Sequence, residues 1–321
     1  MQFIWRIYMY GKPYECDLHC HTTRSDGADT PQELILNAKR TGLRVLAITD
    51  HDVRPPERIV LTSGEEVDIS LYAKQQGIIL LKGIEISCQT EVEDVHIICF
   101  GCNWSDPFFT ELEAGVAASK IKSYRELTKR LSQYNMPVSW EEILDNGGNP
   151  ISEEHVQKKR IFEIMAEKGY VPSWSDAKLL VKNDDRFRVD REKPDPVHVI
   201  HEVHRCGGIC ILAHPFLISD SIRIGSESLD RRGYIERLIE TGLDGIEACY
   251  TYSKTSYAGC QSDKEIEKYV RREYEERLDI ISGGSDYHAD QKKGVKNARM
   301  LGESGVTYEY FINNNKLQNY A

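Results

Sequence analysis

The sequence predicts an α/β barrel of about seven strands, interrupted by a helical insertion. Three observations carry that reading. Strand-like apolar runs alternate with amphipathic helical segments over both ends of the 321-residue chain, and repeated strand–helix units imply parallel strands joined by right-handed crossovers. Histidines and acids gather at the ends of those runs, where the loops of a barrel converge on one face. An open doubly wound sheet collects its site at one switch point and rarely draws on so many strands. Between about Trp104 and Pro194 the alternation stops and the sequence becomes helical and charged. The expected organisation is a discontinuous barrel from residues 1–103 and 195–321, with 104–194 as a helical cap over its mouth.

Each element has its own signal. Glu15 to Thr22 reads as the first strand, and Ser25-Asp26-Gly27 as a turn. Thr30 then caps a helix that Pro31 opens, with Leu34, Ile35 and Ala38 at helical spacing and Gly42 at its end. Arg44 to Thr49 is the second strand, Leu71 to Gln76 a short helix, Gly77 to Ser87 the third strand and Val95 to Gly101 the fourth. In the insertion, Ser119 to Gln133 and Val156 to Lys168 read as amphipathic helices, and Asp184 to Pro194 as a charged link. A helix from His198 to Cys206 stops at Gly207-Gly208 and leads to the fifth strand, Ile209 to Ala213. Helices at Arg231 to Thr241 and Lys264 to Arg277 alternate with strands at Gly245 to Tyr250 and Leu278 to Ser282.

Composition narrows the class. Hydrophobic content of 40% and charged content of 29% fit a soluble globular protein. A net charge of −10 argues against a surface that coats long nucleic acid. No apolar run reaches the length of a membrane span. Met1 to Tyr10 is apolar with one Arg6 and lacks the features of a secretory signal; it is expected to be an outer strand, or to precede a true start at Met9. Nine scattered cysteines, several within strand runs (Cys88, Cys99, Cys210, Cys249), suggest reduced buried thiols and a cytoplasmic protein. Cys99 and Cys102 form a C-x-x-C without a second pair, which reads as packing.

Six short pieces carry the chemistry: Asp17-Leu18-His19-Cys20-His21, Thr49-Asp50-His51-Asp52, Gly83-Ile84-Glu85, Val95-His96, Leu212-Ala213-His214-Pro215 and Gly284-Ser285-Asp286-Tyr287-His288. His19 and His21, two apart on a strand, share a face and can reach one ion. Asp286 and His288 repeat that spacing. Glu85 stands where a carboxylate can bridge two cations, and every motif lies at or near a strand's C-terminal end except His96, which opens one. A lone strand-end histidine is as well explained by packing; six such pieces together point to two or three divalent metals. Histidine and carboxylate without thiolate suit zinc, manganese or iron equally. His155, His198, His201 and His204 stand outside the set; the last three share a helix and read as surface or packing residues, and His155 lies in the insertion. Arg24, beside the first turn, is a phosphate candidate.

The motifs D-L-H-x-H-T…S-D-G, I-T-D-H-D, G-I-E-I-S, a following strand histidine, L-A-H-P and G-G-S-D-x-H resemble, in order, those of the PHP (polymerase and histidinol phosphatase) family within the amidohydrolase superfamily. The resemblance implies a distorted (β/α)7 barrel with a two- or three-metal centre that hydrolyses phosphate esters. It implies a first metal on His19, His21, Glu85 and Asp286, a second on Glu85, His96 and His214, and a third on Asp26, His51 and His288. Asp17 and Asp50 are implied to support the ligands, with direct metal contact by Asp50 as an alternative. The insertion resembles the branch that contains 3′,5′-nucleotide bisphosphate phosphatases and cyclic phosphate dihydrolases. That branch carries S-R-x-H-I-A where this chain has Lys158-Lys159-Arg160-Ile161, so Lys158 and Arg160 become the expected phosphate clamp.

The expected activity is hydrolysis of a small phosphorylated substrate, a nucleotide or sugar phosphate, by a hydroxide bridging two metals, with Asp286, Glu85 and His214 at the reacting centre. Opening of a cyclic phosphodiester is a close alternative. Further alternatives are 5′–3′ trimming of short oligonucleotides, C–N hydrolysis and a non-catalytic scaffold. Neither a membrane nor long nucleic acid is an expected partner, and the sequence leaves the oligomeric state open.

Overall fold

The computed structural model describes residues 14–88, 95–146, 148–153, 156–189, 191–224 and 227–320. The stretch Met1 to Tyr10 and His155 lie outside them. The chain divides into two compact units, one of residues 111–193 and one of the remainder.

The larger unit is built on one seven-stranded sheet: β1 (Cys16–Asp17), β2 (Val45–Ile48), β3 (Ile79–Ser87), β4 (His96–Phe100), β5 (Ile209–Leu212), β6 (Gly245–Cys249) and β7 (Ile280–Gly283), hydrogen-bonded in that order. Leu18 N–H donates to the Gly283 carbonyl at 3.3 Å and Cys20 bridges Tyr287 in parallel, so the two edge strands meet just beyond their ends. The result is the distorted, nearly closed barrel that the sequence predicts.

One strand departs from the predicted parallel order. β4 runs antiparallel to both β3 and β5. Only eight residues separate β3 from β4, too few for the crossover that a parallel pair requires. The reversal has a functional consequence. Pairing of Ser87 with His96 brings the first residue of β4 level with the C-terminal end of β3. His96 therefore opens its strand and still stands at the same end of the sheet as the other motifs.

Alternation along the strands separates two cores. Val45 and Ala47 join Leu18, Leu81, Ile98, Phe100, Ile211 and Ile280 in the inner cluster, while Leu46 and Ile48 pack outward with Leu34, Ile35 and Ala38. Period-two side-chain alternation requires this split. The outward partners belong to α1 (Pro31–Thr41), fixed at its start by a capping box in which Thr30 Oγ1 accepts from Glu33 N–H at 3.2 Å and Glu33 returns the bond. Gly42 ends it at φ +86°, a left-handed conformation in which glycine carries no Cβ penalty. Burying each large aliphatic side chain contributes roughly 1.5–3 kcal/mol.

The remaining helices are α2 (Ile69–Gln75), α3 (Pro107–Gln133), α4 (Trp140–Leu144), α5 (Lys158–Glu167), α6 (Trp174–Asn183), α7 (Pro196–Arg205), α8 (Arg231–Thr241), α9 (Asp263–Tyr274), α10 (Tyr308–Asn313) and α11 (Asn315–Gln318). Phe311 of α10 and Leu317 of α11 complete the inner cluster. The smaller unit has a core of its own, in which Leu127, Leu131, Ile161, Met165, Ala177 and Val181 meet. Among the described residues no helix is long and apolar enough to cross a membrane.

Candidate metal centre

Glu85, at the C-terminal half of β3, is 1% exposed and lies at the middle of the site. Its two oxygens face different imidazoles. Oε2 is 3.1 Å from His19 Nε2, 3.2 Å from His21 Nε2 and 3.1 Å from His51 Nδ1. Oε1 is 2.9 Å from His96 Nδ1 and 3.0 Å from His214 Nε2. Burial opposes the ionised form, yet His51, His19 and His96 hold the Glu85 carboxyl well below the ordinary carboxylate range.

Asp286 supplies the second buried acid. Its Oδ1 lies 3.1 Å from His21 Nε2, 3.5 Å from His19 Nε2 and 3.3 Å from His288 Nδ1. Its Oδ2 accepts the Tyr250 hydroxyl at 2.7 Å and is bound by the Arg299 guanidinium. Burial again works against the charge; His288, His19, His21 and Arg299 outweigh it and keep the carboxyl well below its ordinary value.

Three sets of ligand atoms lie within 4.8 Å of one another: His19, His21, Glu85 and Asp286; His51, Glu85 and His96; and His21, Asp26, His51 and His288. Asp26 Oδ1 is 3.0 Å from His288 Nε2, although the carboxylate is more than half exposed. The structure thus gathers all nine expected ligand residues around one cluster, and His21 borders two of the sets. Several atoms aimed into it have no hydrogen-bond partner among the described residues despite burial: His19 Nε2, both His21 ring nitrogens, His51 Nδ1, Glu85 Oε2 and Asp286 Oδ1. Buried polar atoms normally find partners, so this concentration of unmatched lone pairs, all nitrogen and carboxylate oxygen, fits divalent cations.

The backbone is shaped to aim these groups. His214 and Asp286 adopt φ +29° and +50°, conformations uncommon for residues with a side chain. Gly284 passes so close to His19 that a Cβ would lie 2.3 Å from the His19 Cβ, which only glycine avoids. Asp17 and Asp50 act as staples. Asp17 accepts Ser285 N–H at 2.9 Å, Ser285 Oγ–H at 2.6 Å and Gly302 N–H at 2.9 Å. Asp50 accepts Thr22 N–H and Oγ1–H, each at 2.7 Å, and Ser25 Oγ–H at 2.6 Å.

Sequence reasoning missed three participants. Glu247, fully buried in β6, stands 3.2 Å from His19 Nδ1 through Oε1 and accepts the His214 backbone N–H at 2.8 Å through Oε2. Such a carboxylate orients an imidazole so that the opposite nitrogen faces the ion. Its signal was an acid inside an apolar strand run. Tyr250, directly after β6, follows the strand-end rule that found the histidines. Arg299 lies in a charged loop and had no distinguishing signal.

The predicted phosphate ligands have other contacts. Arg24 is exposed, and its Nη2 donates to the Arg54 carbonyl at 3.1 Å. Arg160 donates Nη1 to Glu167 at 3.0 Å and Nη2 to the Asp145 carbonyl at 3.3 Å. Lys158 opens α5 with no acidic partner among the described residues; burial and then Arg191 lower its pKa.

A family profile described as the PHP domain matches residues 17–185. The chain belongs to the PHP family. It is 28% identical over 275 residues to a 5′-3′ exoribonuclease of Haemophilus influenzae, covering 85% of this chain and 89% of that one. It is 27% identical to a phosphoribosyl 1,2-cyclic phosphate 1,2-diphosphodiesterase of Eggerthella lenta, over 85% and 93% of the two chains. It is 25% identical to a 3′,5′-nucleoside bisphosphate phosphatase of Chromobacterium violaceum, over 87% and 88%. A solved Bifidobacterium adolescentis structure shares the fold at a TM-score of 0.64 and 24% identity, over 96% of both chains.

Proposed function

We propose that this PHP protein is a metal-dependent phosphoesterase that hydrolyses phosphate monoesters of a small nucleotide or sugar. The observation that carries the reading is one buried carboxylate, Glu85, faced by five imidazoles, of which His19, His21 and His51 turn toward it ring nitrogens with no hydrogen-bond partner among the described residues. Two or three divalent ions, of zinc, manganese or iron, would lower the pKa of a water toward neutrality and neutralise the phosphoryl charge.

The chain's own residues supply placement. Glu85 presents Oε1 and Oε2 to separate groups of imidazoles and so divides the cluster into two neighbouring positions. His19, held from behind by Glu247, offers Nε2 to the first of them, together with His21 and Asp286. His214 and His96 address the other oxygen of Glu85. Asp26, His51 and His288 are our proposed third position, shared with His21. In the smaller unit, our proposed cap, Lys158 is the better candidate for a phosphate ligand, because Arg160 and Arg24 already donate to protein oxygens. Eight of the nine cysteines are buried, which supports a reducing compartment, the cytoplasm.

The Haemophilus relative supports a second reading, trimming of short oligonucleotides. The net charge of −10 weighs against long nucleic acid, whose binding rests on neutralising many phosphates. A single panel separates these readings. Metal-replete protein is assayed for phosphate release from a nucleoside bisphosphate, a sugar monophosphate and a cyclic phosphate, and for nucleotide release from a 5′-phosphorylated oligonucleotide. Release from a monoester, with a higher kcat/KM than from the oligonucleotide, is expected. Turnover of the oligonucleotide alone favours the second reading, and no turnover of any ester contradicts both.

A further inference from the structure

A cavity of about 250 Å³ opens beside the acid–imidazole cluster, lined by His51, Glu85, His96, His214 and Asp286 and by two cations, Lys254 and Arg299. The two cations differ in what they have left to give. Lys254 Nζ donates to the Ala298 carbonyl at 2.9 Å and pairs with Glu303. Arg299 is held on two of its three edges. Nε donates to Asp290 Oδ2 at 3.0 Å and Nη1 binds Asp286 Oδ2. Its third nitrogen, Nη2, makes no hydrogen bond among the described residues, although the side chain is only 16% exposed. A guanidinium carries five N–H donors in one rigid plane and does not deprotonate. Two anchored edges fix that plane, so the remaining N–H groups are presented with little loss of freedom when they bind.

We propose that Arg299 is a substrate-binding residue that takes a phosphoryl oxygen through Nη2 while its other edge holds Asp286. This deepens the proposed function and rests on it. The rest of the cavity wall is the acid–imidazole cluster, Lys254 and the uncharged Leu217, Tyr250 and Thr255, and a phosphoryl group there needs a fixed cation with N–H groups still to donate. Arg299 meets that need at the residue that also fixes Asp286 Oδ2, so substrate placement and ligand placement share one side chain. The class of ligand follows from the chemistry: a tetrahedral oxyanion small enough for the cavity.

The test compares wild type, Arg299→Ala and Arg299→Lys, each metal-loaded. The lysine variant keeps the charge without the fork and guards against loss of fold in the alanine variant. Three quantities are read: bound metal by elemental analysis, inorganic phosphate affinity by calorimetry, and KM and kcat for the best ester of the panel. The expected result is about a 10- to 100-fold weaker phosphate affinity and a matching rise in KM for alanine, a smaller change for lysine, and metal content kept in the lysine variant. Unchanged phosphate affinity and KM overturn the proposal, whether or not metal content falls; a fall in metal alone makes Arg299 a positioning residue for Asp286. If wild type turns over no ester, the proposed function fails, and the phosphate titration still decides whether Arg299 binds the anion.

Discussion

Glu247 shows how much of this site depends on residues outside the candidate ligand set. It is fully buried, and its two oxygens go to His19 Nδ1 and to the His214 backbone N–H. The first contact sets which imidazole nitrogen of His19 faces Glu85; the second supports a residue held at φ +29°. Glu247→Gln keeps the shape and loses the charge. Metal affinity should fall about 10- to 100-fold, as for other carboxylates behind ligating histidines, measured by titration with a competing chelator. Unchanged affinity would make Glu247 a packing residue. The nine ligand candidates were legible from sequence because each sits at a strand end in a short motif. Glu247 and Arg299 were not, because their roles are set by which strand or loop lies behind the ligand, a relation between residues more than 200 positions apart in the case of His19 and Glu247.

At the scale of elements, the strand–helix alternation located all seven barrel strands, with edges that shifted by at most five residues. α8 (Arg231–Thr241) falls where its periodicity placed it. Direction was less legible. Periodicity marks a strand but not its sense, and β4 turned out antiparallel. Short pieces without strong patterns also escaped notice, such as the pair Arg58–Val60 and Glu66–Asp68, α6, and the C-terminal helices that fill the inner core. Asp244 joins several of these elements. It accepts from Cys210 N–H at 2.8 Å, stands 2.8 Å from His204 Nε2 and pairs with Lys316 at 2.7 Å. His204, Cys210 and Asp244 have the spacing of a metal site, but Lys316 already supplies the cation. Burial raises the Asp244 pKa, and Lys316 and His204 lower it by more, so the folded value lies below the ordinary 3.8. A depressed carboxylate pKa means that the unfolded chain binds the proton more readily. Its stabilisation is therefore present above the unfolded pKa and is lost as pH falls through the folded value. Asp244→Asn should cost about 1.5–3 kcal/mol at neutral pH and flatten the decline of stability in acid below about pH 4, both read by denaturant melts across pH. Equal stability of the two proteins at neutral pH would contradict this account.

At the scale of the whole molecule, one unit builds the barrel and its metal centre, and the other, residues 111–193, packs a separate core. The barrel unit concentrates acids and imidazoles in a buried place where, without cations, they would satisfy one another only in part. Such a cluster carries a cost in desolvation that a binding protein recovers when charge is supplied. The central claim is that Glu85 is the shared ligand of that charge. It is tested most directly by elemental analysis of protein grown and purified with ample metal, wild type beside Glu85→Ala, with circular dichroism confirming that both fold. The account predicts two or three equivalents of divalent transition metal in wild type and the loss of at least two of them in the variant. A folded wild type that retains less than one equivalent, or a variant that retains as much as wild type, would contradict it.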